Sequence, residues 1–291
     1  LGNDTFDACL AGELQASGAA RASYQVEHLP LALVLAFALE SPPVSLQGAI
    51  NGTGTVQRSA TGELSGKAQL LSASGKVLPS SLSGPDVTPL LAYSGLTITG
   101  DFSGKTAQVA LDATLDESGT LSGRLAATGI GEASTPLDGS LSADLPQLAV
   151  LSTLAPQLVD IRGSATLQAA IAGTLQSPDV SGQIDIRNFA ANVPRLGLQL
   201  RNGELRVSGQ VDGALLVAGR VPSGDGFVQV DGTTSLAGTT RIAVTGKDFL
   251  AADIPGVRVT ATPDLVLERN DEQLSIVGYV KFPRADIDLA R

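Results

Sequence analysis

The sequence predicts a mainly β protein, built as an elongated, curved β-sheet groove with an apolar concave face and a few short helices. Along many segments, apolar and polar residues alternate with a period of two, which is typical of strands with one buried face. The 33 glycines separate these segments at short intervals. Aromatic residues make up only 3% of the chain, which indicates a thin aliphatic surface rather than a thick core.

The segment 163–188 shows this pattern most clearly and is expected to form two strands joined by a turn. Leu167 and Ile171 alternate with polar or small residues before the turn, and Val180 and Ile184 do so after it. Pro178 stands between the two strands, where its missing backbone donor does least harm. The expected result is a strand pair with one apolar and one polar face.

Taken in order, the first half of the chain alternates short helices with strands. Residues 1–28 hold a possible first strand pair, and the apolar run 29–39 predicts a short buried helix with Pro30 near its start. Strands begin at Val44. Residues 85–95 predict one or two helical turns, and residues 116–119 predict a hairpin turn.

The second half holds one more predicted helix and then only strands. Leucines at helical spacing predict a helix near residues 146–156, with Asp144 as its N-cap and Pro156 ending or kinking it. Asn202-Gly203 predicts a two-residue hairpin turn. Further strands are expected around residues 214–221, 226–230, 240–244, 257–261, 265–267 and 274–282.

An internal repeat divides the chain. Leu29-Pro30 and Leu145-Pro146 each begin a predicted helix, and they stand 116 residues apart. The segments Val44–Gly48 and Val159–Gly163, which follow these helices, are 115 residues apart and share the pattern Val-x-(Leu/Ile)-x-Gly. The division expected from this repeat is a first helix-plus-strands section of the groove at residues 1–138 and a second at residues 139–291.

The alternation predicts antiparallel strands with one wet face. About three short helices cannot cover the apolar face of fifteen to twenty strands, so part of that face is expected to line an open groove. The residues expected to line the groove, and to contact lipid if it holds any, are Ile98, Val109, Leu111, Leu125, Leu167, Ile171, Val180, Ile184, Ile186, Leu196, Leu198, Leu200, Leu205, Val207, Ile276 and Val280.

The charge of the chain argues against two classes of partner. Its formal net charge is −10 and it has no Lys/Arg run, so we expect no nucleic-acid binding and no electrostatic docking on anionic lipid. It has no initiator Met, no signal peptide and no apolar run of about 18 residues. We therefore expect a piece of a longer protein, whose membrane anchor lies outside this sequence.

No residue pattern predicts catalysis. His28 is the single histidine and Cys9 the single cysteine, so neither has a second ligand or base of its own kind. The acidic pairs Asp116-Glu117, Asp271-Glu272 and Asp286/Asp288 are expected in turns or at strand ends. Phosphate-loop and nucleophile-elbow motifs are absent from the sequence. We expect no enzyme activity, catalytic residue, metal or cofactor.

Four segments together resemble the C-terminal region of the TamB family. They are Asp144-Leu-Pro-Gln-Leu148 with the leucines after it, Gly173-Thr-Leu-Gln-Ser-Pro-Asp-Val-Ser-Gly182, Leu196-Gly-Leu-Gln-Leu-Arg-Asn-Gly203 and Gly278-Tyr-Val-Lys-Phe-Pro-Arg-Ala-Asp-Ile287. Each segment is degenerate alone. The resemblance is best over residues 139–291 and looser over 29–138. This family is AsmA-like and belongs to the wider group of bridge-like lipid-transfer proteins.

The resemblance implies a curved sheet called a β-taco, with an apolar channel along its length. It also implies a place in the periplasm of a Gram-negative bacterium, with a tether to the inner membrane outside this chain. The outer-membrane barrel TamA is the implied partner. Two roles are attached to the family, namely phospholipid movement to the outer membrane, and assistance in assembling outer-membrane β-barrel proteins and autotransporters.

Three functional hypotheses follow from the sequence and the resemblance. The groove could conduct phospholipid by its acyl chains between the inner and outer membranes. Alternatively, an open sheet edge could serve as a scaffold for β-rich outer-membrane clients. The third hypothesis is a structural β-solenoid with a self-filled interior. The first is preferred, because too little helix is available to cover a one-sided aliphatic sheet.

Overall fold

The computed structural model describes residues 6–33, 44–79, 89–116, 118–130, 134–148, 155, 157–209, 213–235, 239–270 and 273–288. Seventeen strands lie within these ranges. They are β1 Asp7–Leu14, β2 Ala20–Pro30, β3 Val44–Arg58, β4 Leu64–Pro79, β5 Leu91–Ser103, β6 Thr106–Leu115, β7 Gly119–Thr128, β8 Leu137–Leu145, β9 Val159–Thr174, β10 Ser177–Val193, β11 Leu198–Gly209, β12 Ala214–Ser223, β13 Gly226–Ser235, β14 Thr240–Lys247, β15 Phe249–Ile254, β16 Val257–Arg269 and β17 Leu274–Ile287.

All seventeen strands belong to one antiparallel sheet, and the predicted mainly β fold class is confirmed. Helix is nearly absent from the described residues, where it is limited to residues 31–33 and a 3₁₀ turn at Pro194–Leu196. The chain forms two compact units. Unit 1 comprises residues 1–143 and 170–179, and unit 2 comprises residues 144–169 and 180–291.

Unit 1 is a meander in which each strand from β1 to β7 pairs with the next one along the chain. At the end of β7, a hydrogen bond of 2.8 Å between the hydroxyls of Ser122 and Ser142 joins it to β8. Short connections favour this order, because antiparallel neighbours need only a tight turn. Strand β6 ends at Leu115 and β7 begins at Gly119, so the connection between them lies where the sequence predicts a hairpin turn.

Unit 2 is also a meander from β10 to β14, with one variation. The long strand β16 pairs with β14 along residues 264–269 and with β15 along residues 257–261. Its other side pairs with β17. The short strand β15 therefore fills the space beside β16 that β14 does not reach. The sequence analysis missed β15.

Each unit has a closed end, where strand ends surround a small buried cluster. In unit 1 this closed end holds the side chains of Leu31, Ile50, Tyr93 and Leu115, and each is at most 9% exposed. The hydroxyl of Tyr93 hydrogen-bonds that of buried Ser72 at 2.9 Å. Because both polar groups are paired, the cluster buries them without the cost of an unmet hydrogen bond.

The closed end of unit 2 is built the same way from different residues. Leu148, Ala191, Leu198, Leu250 and Ala261 are buried there. The hydroxyl of buried Ser223 donates a 2.9 Å hydrogen bond to the carbonyl of Leu250. At the other strand ends of both units, which we call the open end, turns and exposed leucines such as Leu64 and Leu274 replace this cluster.

β-Bulges bend several strands near the closed ends. The register shifts between Val26 and Leu29, and between Ser94 and Thr97. Both shifts contain a residue in the left-handed region, His28 with φ 57° and Gly95 with φ 61°. A bulge places one extra residue in one strand and increases its bend and twist. These shifts give the sheet curvature that an ideal pleat lacks.

Two predicted turns are wrong, and bulges explain both. Gly95 does not close a helical turn, because residues 91–95 begin strand β5 and Gly95 occupies its bulge. Asn202-Gly203 lies inside β11, and Asn202 adopts a φ of 54° where the register with β12 shifts. Left-handed Asn and Gly serve hairpin turns and bulges equally well, so the dipeptide alone does not separate the two.

The helix predictions have mixed outcomes. The helix predicted at residues 29–39 begins at residue 31, after Pro30 ends β2, and its continuation at 34–39 lies outside the described residues. Asp144 is not an N-cap but a residue of β8, and residues 146–148 are not helical. The predicted helix between 149 and 154 and most of the segment 85–90 also lie outside the described residues.

The two strands predicted at 257–261 and 265–267 are one strand, β16.

Candidate functional site: the apolar face of the sheet

The strand registers of unit 1 align apolar residues in rows that cross the strands. Because directly paired residues of antiparallel strands lie on the same face, each row belongs to one face of the sheet. One row consists of Val26, Gly52, Leu70, Ile98, Leu111 and Gly123. The next consists of Tyr24, Gly54, Ala68, Gly100, Val109 and Leu125.

Unit 2 has two equivalent rows on its apolar face. One consists of Ile184, Val207, Val217, Gly232, Ile242, Leu267 and Ile276. The other consists of Ile186, Leu205, Gly219, Val230, Val244, Leu265 and Gly278. Apart from Tyr24 in unit 1, all members of the four rows are aliphatic residues or glycine, so each unit presents a continuous apolar surface several strands wide.

Glycines allow large side chains of the apolar face to lie flat against the neighbouring strands. Leu70 lies across Gly52 of the neighbouring strand, where an added Cβ would come within 2.6 Å of its Cδ2. Leu125 covers Gly139 in the same way, and the ring of Tyr24 covers Gly54. A large side chain that lies flat over a glycine fills the layer next to the sheet instead of projecting from it. At these positions the apolar side chains therefore lie close to the sheet.

Exposure varies along the apolar face, and most members of the four rows are partly buried. Val109 and Ile184 are each 41% exposed, whereas the leucines at the closed ends are nearly inaccessible. Leu10 on β1 is 81% exposed, although its register with Tyr24 places it on the same apolar face.

The structure brings fifteen of the sixteen predicted groove residues to the apolar face or its closed end. In unit 1, Ile98 pairs with Leu111 and Val109 pairs with Leu125, and Ile171 lies beside Gly139. In unit 2, Leu167 of β9 and Val180 of β10 lie on the same face as the close pair Ala169 and Gly182. The two rows of unit 2 contain Ile184, Ile186, Leu205, Val207 and Ile276, and Val280 of β17 pairs with Pro263 of β16. Leu198 is buried at the closed end, with Leu200 two residues further along β11.

The exception is Leu196, which the sequence places on a strand. It lies in the 3₁₀ turn Pro194–Leu196 that precedes β11, and Gly197 follows it with a φ of 65°. Pro194 fixes the first turn of this short helix. The sequence analysis also missed row members that a register would have revealed. They are Val26, Leu70, Val217, Val230, Ile242, Val244, Leu265 and Leu267.

The opposite face of the sheet is polar. In unit 1, a trough of about 650 Å³ follows this face between two rows of hydroxyl and amide side chains, including Gln25, Thr53 and Thr99. Lys67 and Asp101 form an ion pair of 3.4 Å across it, so the trough has little net charge. Cys9 also lines it. The residues that line this trough form no catalytic pattern.

Charged groups on the polar face of unit 2 pair with one another. Asp185 accepts hydrogen bonds from the amide of Gln183 and, at 2.7 Å, from Arg206 Nε. These two donors hold the pKa of the Asp185 carboxyl below its usual range. Arg220 stacks on the ring of Phe227 at 3.6 Å. These charged groups all lie on the side of the sheet that faces away from the apolar rows.

Two further findings concern only the residues that the structure describes. These residues contain no group of three or more His, Cys, Asp or Glu side chains that could hold a metal ion. Within the same residues, no helix has both the length and the apolar character needed to cross a membrane.

Comparisons with known proteins identify relatives of this chain. The family model described as TamB, N-terminal domain, matches residues 2–186, which is more than half of the chain. A translocation and assembly module subunit TamB from Haemophilus influenzae is 20% identical over 199 residues, covering 67% of this chain and 15% of the relative. This chain thus spans about 15% of the length of that relative. No solved structure matches.

Proposed function

This chain belongs to the TamB family, and from that premise we propose that its apolar face conducts phospholipid between the inner and outer membranes. The whole protein would then act in the translocation and assembly module, with the barrel TamA as its partner at the outer membrane. The chain would lie in the periplasm, tethered to the inner membrane by a segment beyond this sequence. The matched family model ends at residue 186, so the resemblance of residues 139–291 to the C-terminal region stays a prediction.

The observation that carries this proposal is the apolar face. The rows through Val109 in unit 1 and Ile184 in unit 2 are apolar and free of carboxylates, and these two side chains are each 41% exposed. Burying acyl chain is worth about 0.8 kcal/mol per CH₂, or roughly 12 kcal/mol for a sixteen-carbon tail. In a bilayer that tail is already buried, so transfer from bilayer to sheet is close to neutral. A surface of this kind can pass lipid without trapping it.

The first test places a charge on either face of one strand. Val109→Asp puts a carboxylate on the apolar face, where an acyl chain must displace its water, so lipid transfer should fall about tenfold or more. Gln108→Asp places the same charge on the polar face of β6, where Gln108 pairs with Asp101. This control should leave transfer within about twofold of the unmodified protein.

Transfer of fluorescent phospholipid between donor and acceptor vesicles measures both variants, after circular dichroism has established that each is folded. If the two variants lose transfer equally, or neither loses it, the apolar face does not conduct lipid.

A second candidate function rests on a different element, the edge strand β17. All fourteen of its residues are exposed, and in the described structure it pairs only with β16. The part from Leu274 to Tyr279 carries no charge and no proline, which are the usual protections of a sheet edge. An edge of this kind can accept an added strand, so it favours a scaffold for β-barrel and autotransporter clients.

A further inference from the structure

We propose that Arg58 and Arg269, at the open end of the apolar face, bind the phosphate of a phospholipid headgroup while the acyl chains lie on the apolar rows. This inference rests on the proposed lipid function and adds a residue-level site to it. It assigns the headgroup to one edge of the apolar face in each unit. It also predicts discrimination between lipids with and without a phosphate.

The strand registers place both arginines on the apolar face. Arg58 pairs with Leu64 and follows Gly54 and Val56 at two-residue intervals along β3. Arg269 pairs with Leu274 and follows Leu265 and Leu267 at the same intervals along β16. Neither stretch contains a register shift, so the alternation of faces continues to the end of each strand.

The charge on the two faces is strongly asymmetric. In the described residues of β2–β7 and β11–β17, the registers put every carboxylate on the polar face. In the same strands, Arg58 and Arg269 are the only cations on the apolar face. A chain of net charge −10 thus keeps its acids away from this face and places two cations on it.

Both cations occupy the same position in their units. Each is the last residue of its strand, and each lies opposite the first residue of the next strand, which is an exposed leucine. The guanidinium of Arg58 folds over its turn, where a Cβ added to Gly62 would lie 3.9 Å from Nη2. A cation beside an exposed leucine suits the boundary between a lipid's headgroup and its acyl chains.

Neither guanidinium has an ion-pair or hydrogen-bond partner within the described structure. By contrast, Arg206, Arg241 and Arg284 on the polar face each pair with a carboxylate. Arg269 also has hydroxyl groups nearby, because Thr240 is its cross-strand partner and hydrogen-bonds Thr234 at 2.8 Å. An unpaired guanidinium carries five N–H donors in a planar fork that matches a phosphate.

The test compares two lipids with identical acyl chains, phosphatidylglycerol and uncharged diacylglycerol, each carrying the same fluorophore on one chain. The unmodified 291-residue chain should extract phosphatidylglycerol from vesicles more efficiently than diacylglycerol. The double variant Arg58→Gln/Arg269→Gln should lose about threefold to fivefold in phosphatidylglycerol binding, as expected for an exposed ion pair. Its binding of diacylglycerol should be unchanged.

The control is Arg21→Gln/Arg241→Gln, which removes the same charge from the polar face of neighbouring strands. It should bind both lipids like the unmodified chain. Equal losses in the two double variants would mean that net charge acts at long range and would overturn the site. Unchanged phosphatidylglycerol binding in Arg58→Gln/Arg269→Gln would also overturn it, while leaving the lipid function intact. If the unmodified chain extracts neither lipid, both the site and the proposed function fail.

Discussion

At the scale of single residues, the cross-strand glycines are the feature on which the apolar face most depends. Gly75 lies under the ring of Tyr93, and an added Cβ would overlap both the Tyr93 hydroxyl and the carbonyl of Gln47. Gly100, in the neighbouring strand, has nothing closer than 3.8 Å to its own added Cβ. The same residue type is therefore required at one position and replaceable at the other.

This contrast predicts different effects of the same substitution. Gly75→Ala should destabilise the protein by about 1–3 kcal/mol, because the backbone carbonyl of Gln47 cannot move aside as a side chain could. Gly100→Ala should change stability by less than about 0.5 kcal/mol. Urea denaturation followed by circular dichroism measures both. Equal effects at the two positions would show that Tyr93 does not pack on Gly75 as described.

Individual residues also show where reading the sequence reaches its limit. The period-two pattern correctly predicts that Ile184, Val207 and Ile276 share a face, since alternation is a local property of the chain. It does not predict that Asn202 and Gly95 occupy bulges, because a left-handed backbone conformation occurs in turns and in bulges alike. Arg58 and Arg269 were missed for a related reason. Their face depends on an uninterrupted register, which the sequence does not show.

At the scale of elements, the internal repeat gains a physical explanation. Leu31 and Leu148 each follow a Leu-Pro pair, and each lies against the glycine that ends the matching strand segment. A Cβ on Gly48 would lie 3.1 Å from Leu31 Cδ1, and one on Gly163 would lie 3.0 Å from Leu148 Cδ1. Both glycines have a φ near 130°, a conformation that side chains rarely adopt. Both copies of the repeat thus contain the same contact, in which a leucine side chain packs against a glycine at the closed end of its unit.

This contact predicts that Leu148 is essential to unit 2. Leu148 is 1% exposed, so Leu148→Ala should cost about 2–5 kcal/mol through lost burial and the cavity left behind. Leu175, in the turn between β9 and β10, is 65% exposed, and Leu175→Ala should cost less than about 0.5 kcal/mol. Urea midpoints of the two variants provide the comparison. A Leu148→Ala midpoint equal to that of Leu175→Ala would rule out a structural role for the closed end.

The fold class was predictable because it depends on composition and periodicity. Few aromatics, many glycines and alternation over most of the chain leave little choice other than an antiparallel sheet. The element boundaries were less predictable. Strand β15 was missed because Phe249–Ile254 shows little alternation, and its place is set by the part of β16 that β14 leaves unpaired.

At the scale of the molecule, each unit presents apolar rows that run from its buried closed end to its open end. A protein with a self-filled interior would bury residues such as Val109 and Ile184, which are instead 41% exposed. Maintaining such a surface in water is unfavourable, so its presence favours a function in which an apolar ligand occupies it. Membership of the TamB family makes phospholipid the ligand that we propose.

Site-specific photo-crosslinking in cells tests this claim most directly, with probes at Val109 and Ile184 on the apolar face and at Gln108 and Gln183 on the polar face. We predict phospholipid adducts at Val109 and Ile184 and none at the two glutamine positions. Protein adducts with the mass of β-barrels or autotransporters, in place of lipid, would instead support the scaffold function. Absence of lipid adducts at all four positions, or equal adducts on both faces, would contradict conduction of phospholipid along the apolar face.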